Sequence, residues 1–328
     1  MSITSKPDPT VVSLFAGCGG SSLGYKQAGY DLRLAVEWDT GAADVYRRNF
    51  PETNVFEGDI ADLTAEEALR VTALEPGQLD VLDGSPPCQG FSTAGRRKFS
   101  DTRNRLFEEY VRMLEVFKPK MLVMENVSGL RKGKMKLIFA EMTRALKDAG
   151  YKVSCRELNA WWYGVPQDRR RLIWVGVRQD LAALPGHPEP TITTPVSAGR
   201  ALGIAGTQLR NPDFENKWKS GSGVGPALKA TRPPKITGLT VNYGEKLEIR
   251  GFGKVGPLLK ASNPPQIIGS TTDGESVRYL TIEESKVLQG FPERFDIREK
   301  EYKFLGNSVC PPMARAIGRY LITLLEEV

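Results

Sequence analysis

The sequence predicts an α/β fold: a mostly parallel, doubly wound sheet followed by a smaller region rich in loops and short strands. Three observations predict it. Residues 10–15, Thr-Val-Val-Ser-Leu-Phe, read as a buried strand and run into Ala16-Gly17-Cys18-Gly19-Gly20 and a helical pattern through Ala28. Apolar strand-like runs then alternate with segments of helical periodicity to about residue 180, the signature of βα units. Over 190–275 that alternation stops and Gly, Pro and Lys accumulate, so we place one domain at 1–189, a second at 190–275, and a return to the first at 276–328.

Strand, glycine-rich turn and helix form the opening of a dinucleotide-type fold. The turn lets the backbone approach a ligand, and the helix N-terminus offers unpaired N–H groups. Residues 32–36 form a second strand ending at Glu37-Trp38-Asp39, with Glu37 twenty residues after Gly17. An acid at that strand end accepts hydrogen bonds from ribose hydroxyls. Trp38 packs on a purine ring or in the core, and Asp59, after another short apolar run, meets the adenine edge. NAD and S-adenosylmethionine both suit such a fold. The strict dinucleotide fingerprint requires a third glycine at position 22, which is Ser22, so the second cofactor is favoured.

A short apolar run at 79–82 leads into Gly84-Ser85-Pro86-Pro87-Cys88-Gln89. Two prolines fix φ and end the strand, so the Cys88 thiol sits on a stiff turn at the ligand edge of the sheet. That is the setting of a nucleophile, although a free cysteine is often only a small buried hydrophobe. Leu106, Phe107, Tyr110, Val111, Leu114 and Phe117 mark the core face of the next helix. The strand at 121–124 ends in Glu125-Asn126-Val127, and Leu137, Ile138, Met142 and Leu146 mark another core face. Arg169 and Arg171 precede a strand at 172–177, and alternation puts both on one face.

Composition excludes several chemistries. Forty per cent hydrophobic and 26% charged residues suit a soluble globular chain. No apolar run approaches the ~18 residues of a membrane span and the N-terminus has no signal-like core, so a cytoplasmic location is expected. The four cysteines (Cys18, Cys88, Cys155, Cys310) show no zinc-ligand spacing, and His187 is the only histidine. Histidine-based triads and His-rich metal sites are therefore disfavoured. Over 190–275, eleven Lys or Arg stand against six acids, carrying five of the six net positive charges. A basic module beside a nearly neutral one points to a polyanion.

Taken together, these segments resemble the DNA cytosine-5 methyltransferases, of the bacterial type II restriction-modification kind. The resemblance runs in order through residues 15–20, Glu37-Trp38, Asp59-Ile60, Pro86-Pro87-Cys88-Gln89, Glu125-Asn126-Val127 and Gln167-x-Arg169-x-Arg171. It continues through Arg278-x-Leu280-Thr281 with Leu288-Gln289-Gly290-Phe291-Pro292, and Gly306-Asn307-Ser308-Val309.

The resemblance implies a Rossmann-like sheet dependent on S-adenosyl-L-methionine, with S-adenosyl-L-homocysteine as product, no metal, and a target-recognition domain at 190–275. It implies base flipping, because a stacked cytosine is inaccessible to attack. The catalytic residues it implies are Cys88, adding to C6; Glu125, holding N3 and the exocyclic amine; and Arg171, with Arg169 behind it, at O2 and nearby phosphate. For the cofactor it implies Phe15, Gly17, Cys18, Gly19, Gly20, Glu37, Trp38, Asp59, Ile60, Pro87, Leu106, Asn307, Ser308 and Val309. For DNA it implies Gln89, Ser92, Arg96, Arg97, Lys98 and Arg103, on a loop that closes over the duplex or is simply solvated, and Lys229, Arg232 and Lys260.

Val224-Gly225-Pro226-Ala227-Leu228-Lys229-Ala230 recurs as Val255-Gly256-Pro257-Leu258-Leu259-Lys260-Ala261, two similar strand–turn units that are structural or read related bases. The expected partner is double-stranded DNA, met by a monomer associated with the nucleoid. A cognate restriction endonuclease on the same site and an orphan role both stay open. An RNA cytosine-5 methyltransferase, a non-catalytic DNA-binding regulator and a nicotinamide oxidoreductase are the alternatives. The intact Cys88, Glu125 and arginine pair argue against the second, and Ser22 against the third.

Overall fold

A computed structural model describes residues 7–87, 105–202, 208–209, 236–237, 266–271 and 274–328. The chain divides into two compact units: Met1–Leu158, Arg171–Glu189 and Ala314–Val328 form the first, and Asn159–Arg170 with Pro190–Met313 the second. Among the described residues no helix is long and apolar enough to cross a membrane.

The first unit is built on strands β1 (Thr10–Leu14), β2 (Asp31–Glu37), β3 (Asn54–Glu57), β4 (Val81–Gly84), β5 (Met121–Val127), β6 (Tyr151–Asn159) and β7 (Arg170–Arg178). They form one sheet in the order β3-β2-β1-β4-β5-β7-β6. The pairs β2/β3, β1/β2, β1/β4 and β4/β5 are parallel, and β5/β7 is antiparallel. Helices α1 (Gly20–Ala28), α2 (Thr40–Asn49), α3 (Ala65–Thr72), α4 (Arg105–Phe117) and α5 (Lys136–Asp148) join the strands. The sheet is thus mostly parallel, as its alternation predicts, and strand order reverses between β1 and β4. Ligands of open α/β sheets bind at such a point.

Period-two alternation divides the sheet between two helical layers. Val12, Leu14, Leu34, Val36, Leu82, Leu122 and Met124 form a buried core with Tyr110, Met113, Leu114 and Phe117 of α4 and Met142 and Leu146 of α5. Ser13 and Asp83 point the other way: the Ser22 hydroxyl donates to Ser13 at 3.1 Å, and the Tyr25 hydroxyl to Asp83 at 3.2 Å. The closing helix α9 (Pro311–Leu325, after α6 to α8 below) supplies Gly318, whose carbonyl accepts from the Tyr30 hydroxyl at 3.0 Å. One expected core residue is misplaced: Leu137 is exposed. It lies one residue, about 100°, off the 138–142–146 stripe that meets the sheet.

In the second unit the described elements are α6 (Ala198–Ala201), two short antiparallel strand pairs, α7 (Ile282–Gln289), α8 (Tyr302–Asn307) and the start of α9. The pairs are Gln208–Leu209 with Ile236–Thr237 and Gln266–Thr271 with Gly274–Tyr279. Thr281 caps α7 in a full capping box with Glu284, as the Thr-Ile-Glu-Glu pattern predicts.

Candidate active site

The loop after β1 is built by backbone conformation. Phe15 and Gly17 have φ of +55° and +56°, which ends β1 one residue before the sequence pattern does. Gly19, at φ +91°, begins α1; a Cβ there would lie 2.4 Å from the Phe50 ring, whereas one on Gly17 would meet open space. Gly19 is therefore set by packing and Gly17 by backbone conformation alone.

Glu37 fastens this loop to β2. One carboxylate oxygen accepts from the Gly17 N–H at 2.7 Å; the other accepts from Trp38 and Asp39 at 3.0 and 2.9 Å. Burial pushes its pKa up, and those three backbone donors counter the shift. A carboxylate has about four acceptor positions, so room remains for one more donor such as a hydroxyl. Trp38 is 79% exposed, which rules out core packing and leaves its ring open to a ligand. Asp39 caps α2. Asp59 caps the short turn Ile60–Asp62 and lies 3.3 Å from Arg105, while Ile60 is buried and Leu106 packs half-buried against the core.

Two strands along, the proline turn is held by the acid segment. The Asn126 amide, nearly fully buried, donates to the Pro86 carbonyl at 3.0 Å, while its oxygen accepts from the Val127 N–H at 2.8 Å. The backbone one residue before Pro87 is thereby tied to the end of β5. In the β5/β7 register Glu125 faces Ile173 and Arg171 faces Val127, making Glu125 and Arg171 diagonal neighbours on one face. Arg171 Nε lies 2.7 Å from Glu125 Oε1, and both side chains are largely buried. A guanidinium fixed there orients the carboxyl.

A further acid stands beneath. Asp83 is buried in β4, and burial, opposed by hydrogen bonds from Ser21 and Tyr25, raises its pKa to about 7; Glu125 adds to the rise.

Within the second unit, Arg169 lies one residue before β7, which begins at Arg170. Its guanidinium is buried, and Nη2 donates to the carbonyls of Gly306 and Ser308 at 3.1 and 2.7 Å. Gln167 Nε2 donates to Leu288 O and Gln289 Oε1 at 2.8 and 2.7 Å, and Gln289 Nε2 donates to Ser308 O at 2.9 Å. Asn307 is exposed, Ser308 buried and Val309 half-buried.

Cys88, Gln89, Ser92, Arg96, Arg97, Lys98, Arg103, Lys229, Arg232, Lys260 and the internal repeat lie outside the described residues. His187 faces Ser154 of β6 at 3.2 Å, three strands from β4, and burial lowers its pKa to about 4. Cys18 and Cys310 are buried, and burial lifts the Cys155 thiol to about 12, away from an activated thiol. Among the described residues no cluster of His, Cys, Asp and Glu fits a metal ion. Asp83, Asn126 and Gln289 are the residues sequence reasoning gave no role. Asn126 and Gln289 stood inside quoted motifs, and Asp83 between the apolar run at 79–82 and the motif that starts at Gly84.

The family described as C-5 cytosine-specific DNA methylase matches residues 9–323. The chain is similar to the type II methyltransferase M.XorII of Xanthomonas oryzae pv. oryzae, 32% identical over 97% of this chain and 86% of that protein. It is also similar to M1.HphI of Haemophilus parahaemolyticus, 33% identical over 96% and 87%. Among solved structures, Dnmt2 methyltransferase of S. pombe superposes with a TM-score of 0.64 at 18% identity, covering 97% of this chain and 98% of that one, a likeness of fold.

Proposed function

The chain belongs to the C-5 cytosine-specific DNA methylase family, and from that premise we propose how its residues divide the work of an S-adenosylmethionine-dependent DNA cytosine-5 methyltransferase. The carrying observation is the Arg171–Glu125 pair, 2.7 Å apart at the edge where Asn126 holds the proline turn.

In this reading a cytosine leaves the duplex and comes to the sheet edge beside β4 and β5. The Cys88 thiolate adds to C6, and electron density moves toward C5 and N3. Glu125, oriented by Arg171, hydrogen-bonds N3 and the exocyclic amine and stabilises the protonated ring. Arg171 meets O2. When bound, S-adenosylmethionine supplies an electrophilic methyl group to C5. The C5 proton is then lost to a base, the C6–S bond breaks, and the thiolate is regenerated. No imidazole is needed, because a thiolate both attacks and leaves readily.

The glycine loop, the free acceptor position of Glu37, the exposed ring of Trp38 and Asp59 suit an adenosine group and its ribose hydroxyls. Phe15, Cys18, Gly19, Gly20, Ile60, Pro87, Leu106, Asn307, Ser308 and Val309 complete the cofactor set. We assign no metal, since a sulfonium methyl is already electrophilic. Residues 88–104 and the basic 190–275 region engage duplex DNA, and the protein works as a cytoplasmic monomer at the nucleoid. Its role is protection of DNA from a cognate endonuclease.

Methyl transfer from labelled S-adenosylmethionine to duplex DNA, wild type beside Cys88→Ser, with bisulfite sequencing, tests the reading. It predicts 5-methylcytosine at one short motif, absent with the variant. Transfer to RNA alone would replace the substrate, and unmodified DNA with bound cofactor would make the protein a DNA-binding regulator.

A further inference from the structure

The buried polar cluster of the second unit belongs to three segments far apart in sequence. Gln167 and Arg169 come from the turn before β7, Gln289 from the end of α7, and Gly306 and Ser308 from the end of α8. All three donor side chains are at most 1% exposed. The Ser308 carbonyl accepts from both Arg169 and Gln289, which fills its two lone pairs. The Gly306 carbonyl accepts from the same guanidinium nitrogen. These two carbonyls flank Asn307, so one cation and one amide fix the backbone on both sides of an exposed residue. Arg169 is itself held: its N–H donates to Asn159 Oδ1 at 3.2 Å, and Asn159 Nδ2 donates to Asp168 Oδ1 at 2.6 Å.

Burying an arginine costs desolvation that an apolar side chain avoids. Two charged hydrogen bonds from one buried Nη2 nevertheless fix the positions of both carbonyls, which packing alone does not.

We propose that Arg169 is a positioning residue rather than a catalytic one: with Gln167 and Gln289 it sets the backbone at 306–308 so that Asn307 is presented to S-adenosylmethionine. The proposal rests on the assignment of Asn307 to the cofactor made above. The turn that carries Arg169 leads within two residues to Arg171, so one short segment serves the cofactor loop and the reacting base by different side chains.

Cofactor affinity measured calorimetrically without DNA, on the full-length protein, tests it independently of the target site. Arg169→Lys keeps a cation but ends one atom short of the Nη2 position that reaches both carbonyls, and Gln289→Leu removes the second donor to Ser308. With wild-type far-ultraviolet circular dichroism, each weakens S-adenosylmethionine binding by about tenfold or more. The turnover number at saturating cofactor stays within about twofold, since the groups at the base are untouched. In an Asn307→Ala background, Arg169→Lys has little further effect on affinity. A fall in turnover number at saturating cofactor with affinity unchanged would overturn the proposal and return Arg169 to the base. Full additivity with Asn307→Ala would also overturn it. A wild-type protein that bound no S-adenosylmethionine would instead refute the cofactor reading on which it rests.

Discussion

Asn126 donates from its buried amide to the carbonyl of Pro86, forty residues earlier in the chain, and so ties the end of β5 to the turn that leads into Cys88. The acid segment is therefore tied directly to Pro86 of the proline turn. Glu125 is fixed sideways by Arg171, and the next residue fixes the proline turn.

Asn126→Ala removes the buried amide that bonds the Pro86 carbonyl and the Val127 N–H. The expected loss of stability is about 1–3 kcal/mol, read from the urea midpoint. Covalent capture of target DNA slows by more than that loss explains, because the turn is no longer held. A variant that captures DNA at the wild-type rate would show that the bond serves stability only.

Glu125→Gln keeps shape and removes the acid. Single-turnover methyl transfer should fall by about a hundredfold to ten-thousandfold, with cofactor affinity unchanged. A change of less than threefold would remove Glu125 from the chemistry.

Asp83 makes stability depend on pH. Its pKa is about 7 in the folded chain against an ordinary 3.8, so the native state binds the extra proton between those values. The contribution is fully present below about pH 4 and is lost as pH rises through about 7. Asp83→Asn removes this dependence, and above pH 7 the variant should be the more stable by at most about 4 kcal/mol. Thermal melts at pH 5 and 8 check it: the gap between variant and wild type widens at pH 8, and a gap that stays constant contradicts the buried carboxylate.

Gly17 and Gly19 separate two causes. Gly17→Ala meets only the left-handed backbone penalty, about 1–2 kcal/mol. Gly19→Ala meets that penalty and a Cβ placed 2.4 Å from the Phe50 ring, so it is the more damaging change. Denaturant midpoints in the reverse order would mean that the loop repacks.

What was legible in the sequence was whatever depended on neighbours. The β1–glycine–α1 opening, Glu37 at the end of β2 and the Thr281–Glu284 capping box each show within a few residues. Leu137 was misread because an apolar residue beside a helical stripe looks like part of it. The contacts that organise the site were not legible. Pro86 and Asn126 are forty residues apart, Tyr25 and Asp83 fifty-eight, and Gln167 and Gln289 more than a hundred. No local pattern reports such pairings.

The most direct test of the central claim is covalent trapping on duplex DNA in which the target cytosine carries fluorine at C5. After methyl transfer the fluorine cannot leave as a cation, so the C6–S bond has no route to break. The account predicts a denaturation-resistant complex of wild-type protein and DNA that requires S-adenosylmethionine, maps to Cys88 by peptide mass, and is absent from Cys88→Ser. Methylation by Cys88→Ser at the wild-type rate, or trapping through a different residue, would contradict it.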